Sequence, residues 1–381
     1  MTGLGDLVAD HDVIVCCGTG GVGKTTTAAV LALAAARRGR DAVVVTIDPA
    51  KRLADTLGLV GLGNTAHVIP RTRWADGATA EDGRLSALML DTRATFDGLV
   101  HRYAQDEAQA DRILGNGFYR NIAGALSGTQ EYMAMEKLHE LHEEGGYDLI
   151  VVDTPPSRHA LDFLDAPQRL TRLLDNRVFR FLMMPTHKYV RVASNAVQRF
   201  LRTVGKVIGG DVLDDIVAFF RAFEGMEAGF RARAARVDEL LLAPTTGFVL
   251  ITSARRDAVD EAEFFAGRLR DADLGVAALV VNRVHPDFGE HRPVDALRGE
   301  ARAVGGRGSD AAERLAARYD NLADYVSLAD EERRRLADVG SRIGAATVAY
   351  VPSLARDVVD FEALDAVAGL LVDDGRPSTT G

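Results

Sequence analysis

A doubly wound α/β fold, with a mainly parallel sheet and an inserted α-helical subdomain, is what this 381-residue chain predicts. Three observations predict it. Short apolar runs rich in β-branched residues alternate with longer helical patterns, as strands covered on both faces require. The first run passes straight into a glycine-rich turn and then an apolar helix. Two long stretches, Thr92–Leu126 and Leu161–Leu242, interrupt the alternation and carry no convincing strand.

In chain order, Val13–Cys17, Ala42–Thr46, Leu85–Leu90, Leu149–Val152, Gly247–Thr252, Val276–Val281 and Thr347–Val351 read as buried strands bounded by Gly, Asp or Pro. Helical patterns fill the gaps at Lys24–Arg38, Gln130–Glu144, Asp257–Arg270 and Glu331–Ile343. Alternating units of this kind build a doubly wound sheet. The core is expected to comprise residues 1–91, 145–165 and 244–372, with 92–144 and 166–243 as helical insertions. The short polar tail, 373–381, is expected to be disordered.

Composition excludes several classes. Lys and Arg total 45 against 55 Asp and Glu, a formal net charge of −10. An acidic chain repels nucleic-acid phosphates, so no nucleic-acid partner is expected. The only cysteines, Cys16 and Cys17, are neighbours, which rules out an ordinary disulfide and a CxxC clamp. Met1–Asp12 holds no Lys or Arg and lacks the basic start of a signal peptide. Apolar runs such as Ala28–Ala36 fall short of the ~20 residues that span a bilayer. A cytoplasmic location is expected.

The turn after the first strand reads Gly18-Thr19-Gly20-Gly21-Val22-Gly23-Lys24-Thr25, a full match to G-x-x-x-x-G-K-[ST]. Glycines let successive N–H groups converge on one anion, and the helix that follows adds the positive end of its dipole. Lys24 is expected on the β- and γ-phosphates and the Thr25 hydroxyl on Mg²⁺. Two further strands end in acids, at Ile47-Asp48-Pro49 and at Val152-Asp153-Thr154. In a parallel sheet those ends lie beside the phosphate loop, where a carboxylate can hold a metal-bound water or orient an attacking one. This is the fold of a phosphate-loop NTPase.

Together these residues resemble the ArsA/Get3-like, anion-transporting group of deviant-Walker ATPases over nearly the whole chain. Gly18–Thr27 resembles the phosphate loop, Asp48–Leu57 the first switch, Asp153–Leu164 the second, and Val280–Arg283 and Val351–Ser353 the segments that line adenine. Leu90–Asp97, Gly128–Leu138 and Asp153–Pro167 resemble one actinobacterial subunit type. The resemblance implies ATP and Mg²⁺ as cofactors, held by Gly20, Gly21, Val22, Gly23, Lys24, Thr25 and Thr26, with Asn282 and Pro352 against the base. It implies Thr25 on Mg²⁺, Asp153 on Mg²⁺ through water, and Lys24, Asp48 and Asp153 as the catalytic set, Asp48 positioning the hydrolytic water. It also implies a dimer that closes on ATP and opens after hydrolysis.

The chain departs from that pattern at four places. The group's signature lysine, which reaches the partner's phosphates, is Thr19 here. A neutral hydroxyl cannot offset transition-state charge as a cation does, so either a slow homodimer or a heterodimer with a lysine-bearing paralogous ATPase is expected. The zinc-binding CxxC is absent after Asn282, where the chain reads Arg283-Val284-His285-Pro286, so no zinc is expected and His285 reads as a turn residue. Soft arsenite needs a thiolate cluster that two buried-strand cysteines do not supply. Arg158 stands where the second switch often has Gly.

Segment 169–206 holds nine basic residues and one acid, Asp175, a local balance of +8 interleaved with apolar residues such as Phe179, Phe181, Met183 and Met184. Such a stretch is either an ordinary subdomain helix pair, its basic face solvated or paired with acids elsewhere, or a surface that meets a membrane-protein client or an anionic membrane, which would place the chain peripherally at the membrane. The expected function is Mg²⁺-dependent ATP hydrolysis driving a membrane-protein-targeting or transport-linked process. The alternative is a low-activity nucleotide-binding regulatory subunit paired with a signature-lysine paralogue. A membrane-positioning ATPase is disfavoured, because the C-terminal stretch Asp357–Asp374 is acidic.

Overall fold

The computed structural model describes residues 3–47, 52–59, 61–74, 83–117, 119, 129–155, 168–169, 171–172, 175, 210–286, 288 and 292–372. Residues 48–51 of the first switch, Asp48 among them, residues 156–164 of the second switch, most of the basic segment 169–206 and the tail 373–381 lie outside the described residues.

Eight strands form one sheet among the described residues: β1 (Val13–Gly18), β2 (Ala42–Thr46), β3 (His67–Val68), β4 (Leu85–Met89), β5 (Leu149–Asp153), β6 (Thr246–Ser253), β7 (Val276–Val284) and β8 (Ala345–Pro352). Their order is β3-β4-β2-β5-β1-β6-β7-β8, and every pair is parallel except β3–β4. All residues of β1, β2 and β5 are buried, which is why these strands read as unbroken apolar runs. The chain winds to one side of β1 and then to the other, so the switch point of the sheet falls at the end of β1.

Alternate residues of β1 serve two cores. Ile14 and Cys16 join the one beneath α1 (Leu4–Asp10), α2 (Lys24–Arg37) and a C-terminal helix, Phe361–Leu371; Val13, Val15 and Cys17 join the other. α2 buries every residue from Ala28 to Ala36, and its alanines let the helix approach the sheet closely. Among the described residues the next element after β2 is the short α3 (Arg52–Thr56).

The opposite face carries α4 (Thr92–Tyr103), α5 (Glu107–Leu114), α6 (Thr129–Glu143), α7 (Gly210–Ala222), α8 (Glu227–Leu242) and α9 (Arg256–Asp271). Asp91 and Asp106 cap α4 and α5 by accepting from Ala94 N and Gln109 N. Aromatic rings bind these helices together: Phe219 lies 4.9 Å from Phe223 and stacks at 6.0 Å on Tyr119. The same layer buries charge. Arg233 of α8, 3% exposed, donates to Glu136 of α6 at 2.8 Å and also pairs with Glu143, while the Tyr132 hydroxyl donates to Glu136.

Two features differ from the expectation. The pattern at Glu331–Ile343 is not one helix. It divides between α11 (Asp310–Leu336) and α12 (Val339–Ile343), and α11 packs as a hairpin on α10 (Val294–Gly305). Charge on nearly every side of α11 hides its seam, since it meets α10 through small residues such as Ala312 and Ala323. β3 is only two residues long, too short to show alternation, and it closes the sheet edge antiparallel to β4. α13 (Phe361–Leu371) ends the described chain against α2.

Candidate functional site

The site forms where β1 ends. Gly18 sits so close to β6 that a Cβ would stand 2.2 Å from the Ile251 carbonyl oxygen, so no side chain fits there. The loop then turns into α2, whose first residue is Lys24. Lys24 is 6% exposed, and its Nζ donates to the Thr19 carbonyl at 2.8 Å, so the cation is drawn across the loop.

Asp153 ends β5 and lies in register with Cys16 of β1 and Thr46 of β2. It is 1% exposed, and its Oδ2 accepts from Thr25 Oγ1 at 2.7 Å and from Thr46 Oγ1 at 3.0 Å. The next residue, Thr154, donates its hydroxyl to the Cys16 carbonyl at 2.8 Å. A helix-start hydroxyl and a strand-end carboxylate thus share one edge of the loop. Hard oxygen donors of this kind match Mg²⁺, so the residues present fit the ion that such chemistry uses.

A cavity of about 600 Å³ opens beside the loop. It brings together Gly21, Gly23, Lys24, Thr25, Thr26, Asn282 and Pro352 from three separate parts of the chain. Asp153 stands directly behind Thr25. Gly20 and Val22 face a neighbouring cavity of about 580 Å³, shared with Thr19, Arg255, His285 and Glu332. Asp48 lies outside the described residues, but Ile47 before it is anchored. Its N–H donates to the Asp153 carbonyl at 3.1 Å, and its carbonyl accepts from Gln130 Nε2 of α6 at 2.8 Å.

Three contributors were not singled out from sequence: Thr46, Arg283 and Arg356. Thr46 hides as the last residue of an apolar strand, and only the register beside Asp153 shows its role. Arg283 and Arg356 line the 600 Å³ cavity, and the VVNR string was the available signal for the first.

Both thiols lie in the sheet, at 0% and 4% exposure. Burial, then the nearby Asp153 carboxylate, raises the Cys16 thiol well above its usual range, and burial pushes Cys17 up to about 12. They are protonated at neutral pH and packed as small apolar groups. His285 pairs through Nδ1 with Glu332 at 2.9 Å, and the same carboxylate accepts from the His285 N–H at 2.9 Å. Among the described residues no group of three or more His, Cys, Asp or Glu side chains is placed to hold a metal, and no helix is long and apolar enough to cross a membrane.

Comparison with known proteins gives the family. The family model described as anion-transporting ATPase matches residues 11–301. The chain is 33% identical to the ATPase GET3 of Pyricularia oryzae over 160 residues, which cover 41% of this chain and 43% of that one. It is 26% identical to the ATPase GET3 of Paracoccidioides lutzii over 271 residues, 70% of this chain and 71% of the other. The ATPase get3 of Aspergillus niger is 27% identical over 275 residues, with the same coverage of 70% and 71%. The aligned part is therefore under half of the Pyricularia protein and about seven-tenths of the other two.

Proposed function

The chain is an ATPase of the anion-transporting ATPase family, and from that premise we propose that it hydrolyses ATP with Mg²⁺ at the loop Gly18–Thr25 in a cycle that opens and closes a dimer. The observation that carries this reading is the Thr25–Asp153–Thr46 hydrogen-bond set at the mouth of the loop. Mg²⁺, when bound, offsets charge on the β- and γ-phosphates. The loop N–H groups of Gly20 to Thr26 cradle the phosphates, and Lys24 swings from the Thr19 carbonyl toward the γ-phosphate. Asp153 accepts from the Thr25 hydroxyl; Thr25 would offer that hydroxyl to the metal, and Asp153 would hold it through a water. Asp48 orients the attacking water. Asn282 and Pro352 receive the base.

Nucleotide state then passes from Asp153 and Asp48 to the helical layer. The Gln130–Ile47 hydrogen bond ties α6 to the residue before Asp48 and supports that route. The basic segment 169–206 is the proposed contact with a membrane-protein client or membrane component, in a targeting or transport-linked process carried out in the cytoplasm or at the membrane surface.

One observation favours a second reading. Thr19 offers only a hydroxyl and a carbonyl where the resembled group has a lysine, and that carbonyl is already used by Lys24. The chain would then be a slow subunit completed by a lysine-bearing paralogue. Phosphate release with and without Mg²⁺ tests both readings. Lys24→Ala should abolish turnover, and undiminished turnover would falsify the site. Thr19→Lys should raise turnover of the chain alone if the second reading holds, and leave it unchanged if the homodimer is complete.

A further inference from the structure

Asn282 makes contacts that a base-reading residue does not require. It stands at the C-terminal end of β7, in register with Ser253 of β6 and Val351 of β8. The register with β8 shifts immediately after it, at Arg283, a non-glycine residue with φ of 57°. That left-handed backbone is sterically disfavoured for arginine. At this bend the Arg283 N–H donates to Asn282 Oδ1, at 2.9 Å. With its oxygen engaged, the Asn282 amide presents Nδ2 to the phosphate loop, where it donates to the Val22 carbonyl at 2.8 Å. A donor facing a carbonyl and an acceptor facing an N–H admit only this orientation of the amide.

The loop is shaped to receive it. Gly23 has φ of 100°, and a Cβ there would stand 2.3 Å from Asn282 Nδ2. The amide fills the space that the glycine leaves. Holding the Val22 carbonyl has a second effect. The Val22–Gly23 peptide is planar and trans, so its N–H points opposite its carbonyl. Fixing one end fixes the direction of the Gly23 N–H, on a residue that lines the 600 Å³ cavity with Lys24 and Thr25.

We propose that Asn282 is a positioning residue of the phosphate loop: it pins the Val22–Gly23 peptide so that the Gly23 N–H is aimed at the polyphosphate whatever base is attached. The proposal rests on the nucleotide site proposed above and assigns Asn282 a role beyond the base. One amide hydrogen and one oxygen lone pair of Asn282 remain for a base, so the two roles coexist.

Inorganic tripolyphosphate, which has no base, separates them. Calorimetric titration with tripolyphosphate and with ATP, each with Mg²⁺, is carried out on the full chain and on Asn282→Ala and Asn282→Asp. Loss of one positioning hydrogen bond should weaken both ligands by a similar factor, roughly three- to tenfold for Asn282→Ala. Asn282→Asp keeps the shape but sets a carboxylate oxygen against the Val22 carbonyl, and the loss should be larger. Unchanged tripolyphosphate affinity, with only the preference for ATP over GTP reduced, overturns the proposal. Amide hydrogen exchange of the nucleotide-free chain gives an independent reading. Protection across residues 20–24 should fall in Asn282→Ala, and unchanged protection overturns the proposal. If the wild-type chain binds neither ligand, the proposed nucleotide site fails, and the exchange measurement still decides whether Asn282 holds the loop.

Discussion

The two faces of the sheet are built by different rules. On one face α2 lies on the strands through an unbroken buried run from Ala28 to Ala36, with Leu4, Leu364 and Leu371 filling in around it. Among the described residues the buried charges on that face are Lys24 and Asp153, both at the start of the helix. On the other face large rings alternate with a buried Glu136–Arg233 pair, a buried His139 and a Tyr132 hydroxyl. An alanine seam is satisfied by closeness alone and holds the phosphate loop on a rigid base. Buried charge is satisfied by only one arrangement of partners, so it selects how α6 and α8 dock rather than merely holding them together.

The contrast can be broken at its strongest point. Arg233→Met leaves the Glu136 carboxyl, already raised above its usual range by burial, without its cation. The expected loss of stability is ~3–5 kcal/mol in chemical denaturation. The double variant Glu136→Leu with Arg233→Met should recover most of it, because replacing both partners removes the uncompensated charge. A single variant that costs nothing would mean that the pair does not distinguish the two faces.

The alanine seam is tested by adding volume. Ala32 is 0% exposed, and Ala32→Leu should destabilise by ~1–3 kcal/mol, read as a lowered thermal midpoint. The smallest expected effect is a pH dependence. Burial first, then Arg233, lowers His139 from 6.5 to about 4. The unfolded chain binds a proton there that the folded chain refuses, so this contribution is complete above pH 6.5 and is lost as pH falls toward 4. Glu136, shifted upward, acts in the opposite sense and is present in both proteins, so the difference between wild type and His139→Gln isolates the histidine. That difference should be on the order of 1 kcal/mol across the window.

The two faces were also unequally legible in the sequence. The α2 side could be read almost residue by residue, because a phosphate loop, a strand and an alanine helix are consecutive and their physics is local. Strand ends and the acid at Asp153 followed from the same logic. The opposite face could not be read this way. Glu136 and Arg233 lie 97 positions apart, and nothing local in either helix names the other as its partner. Likewise the α10–α11 hairpin is carried by small residues on an otherwise charged helix, so its hydrophobic period is faint. In the site itself, the residue types and spacing of the loop pointed to Lys24 and Thr25, while Asn282 was named only by the family resemblance. The Thr46 hydroxyl and the left-handed turn at Arg283 depend on register and backbone geometry, which no residue type announces.

The tandem cysteines have a consequence of their own. Cys16 belongs to the core beneath α2 and Cys17 to the core on the opposite face, so one short stretch of β1 carries a reporter for each side. Neither thiol can react while the sheet is closed, and no added probe is needed. The pace at which a small alkylating reagent modifies the native chain therefore counts opening events of the central strand. The mass spectrum then separates two histories: chains carrying one label record a face that parted alone, and chains carrying two record the moment when both parted together.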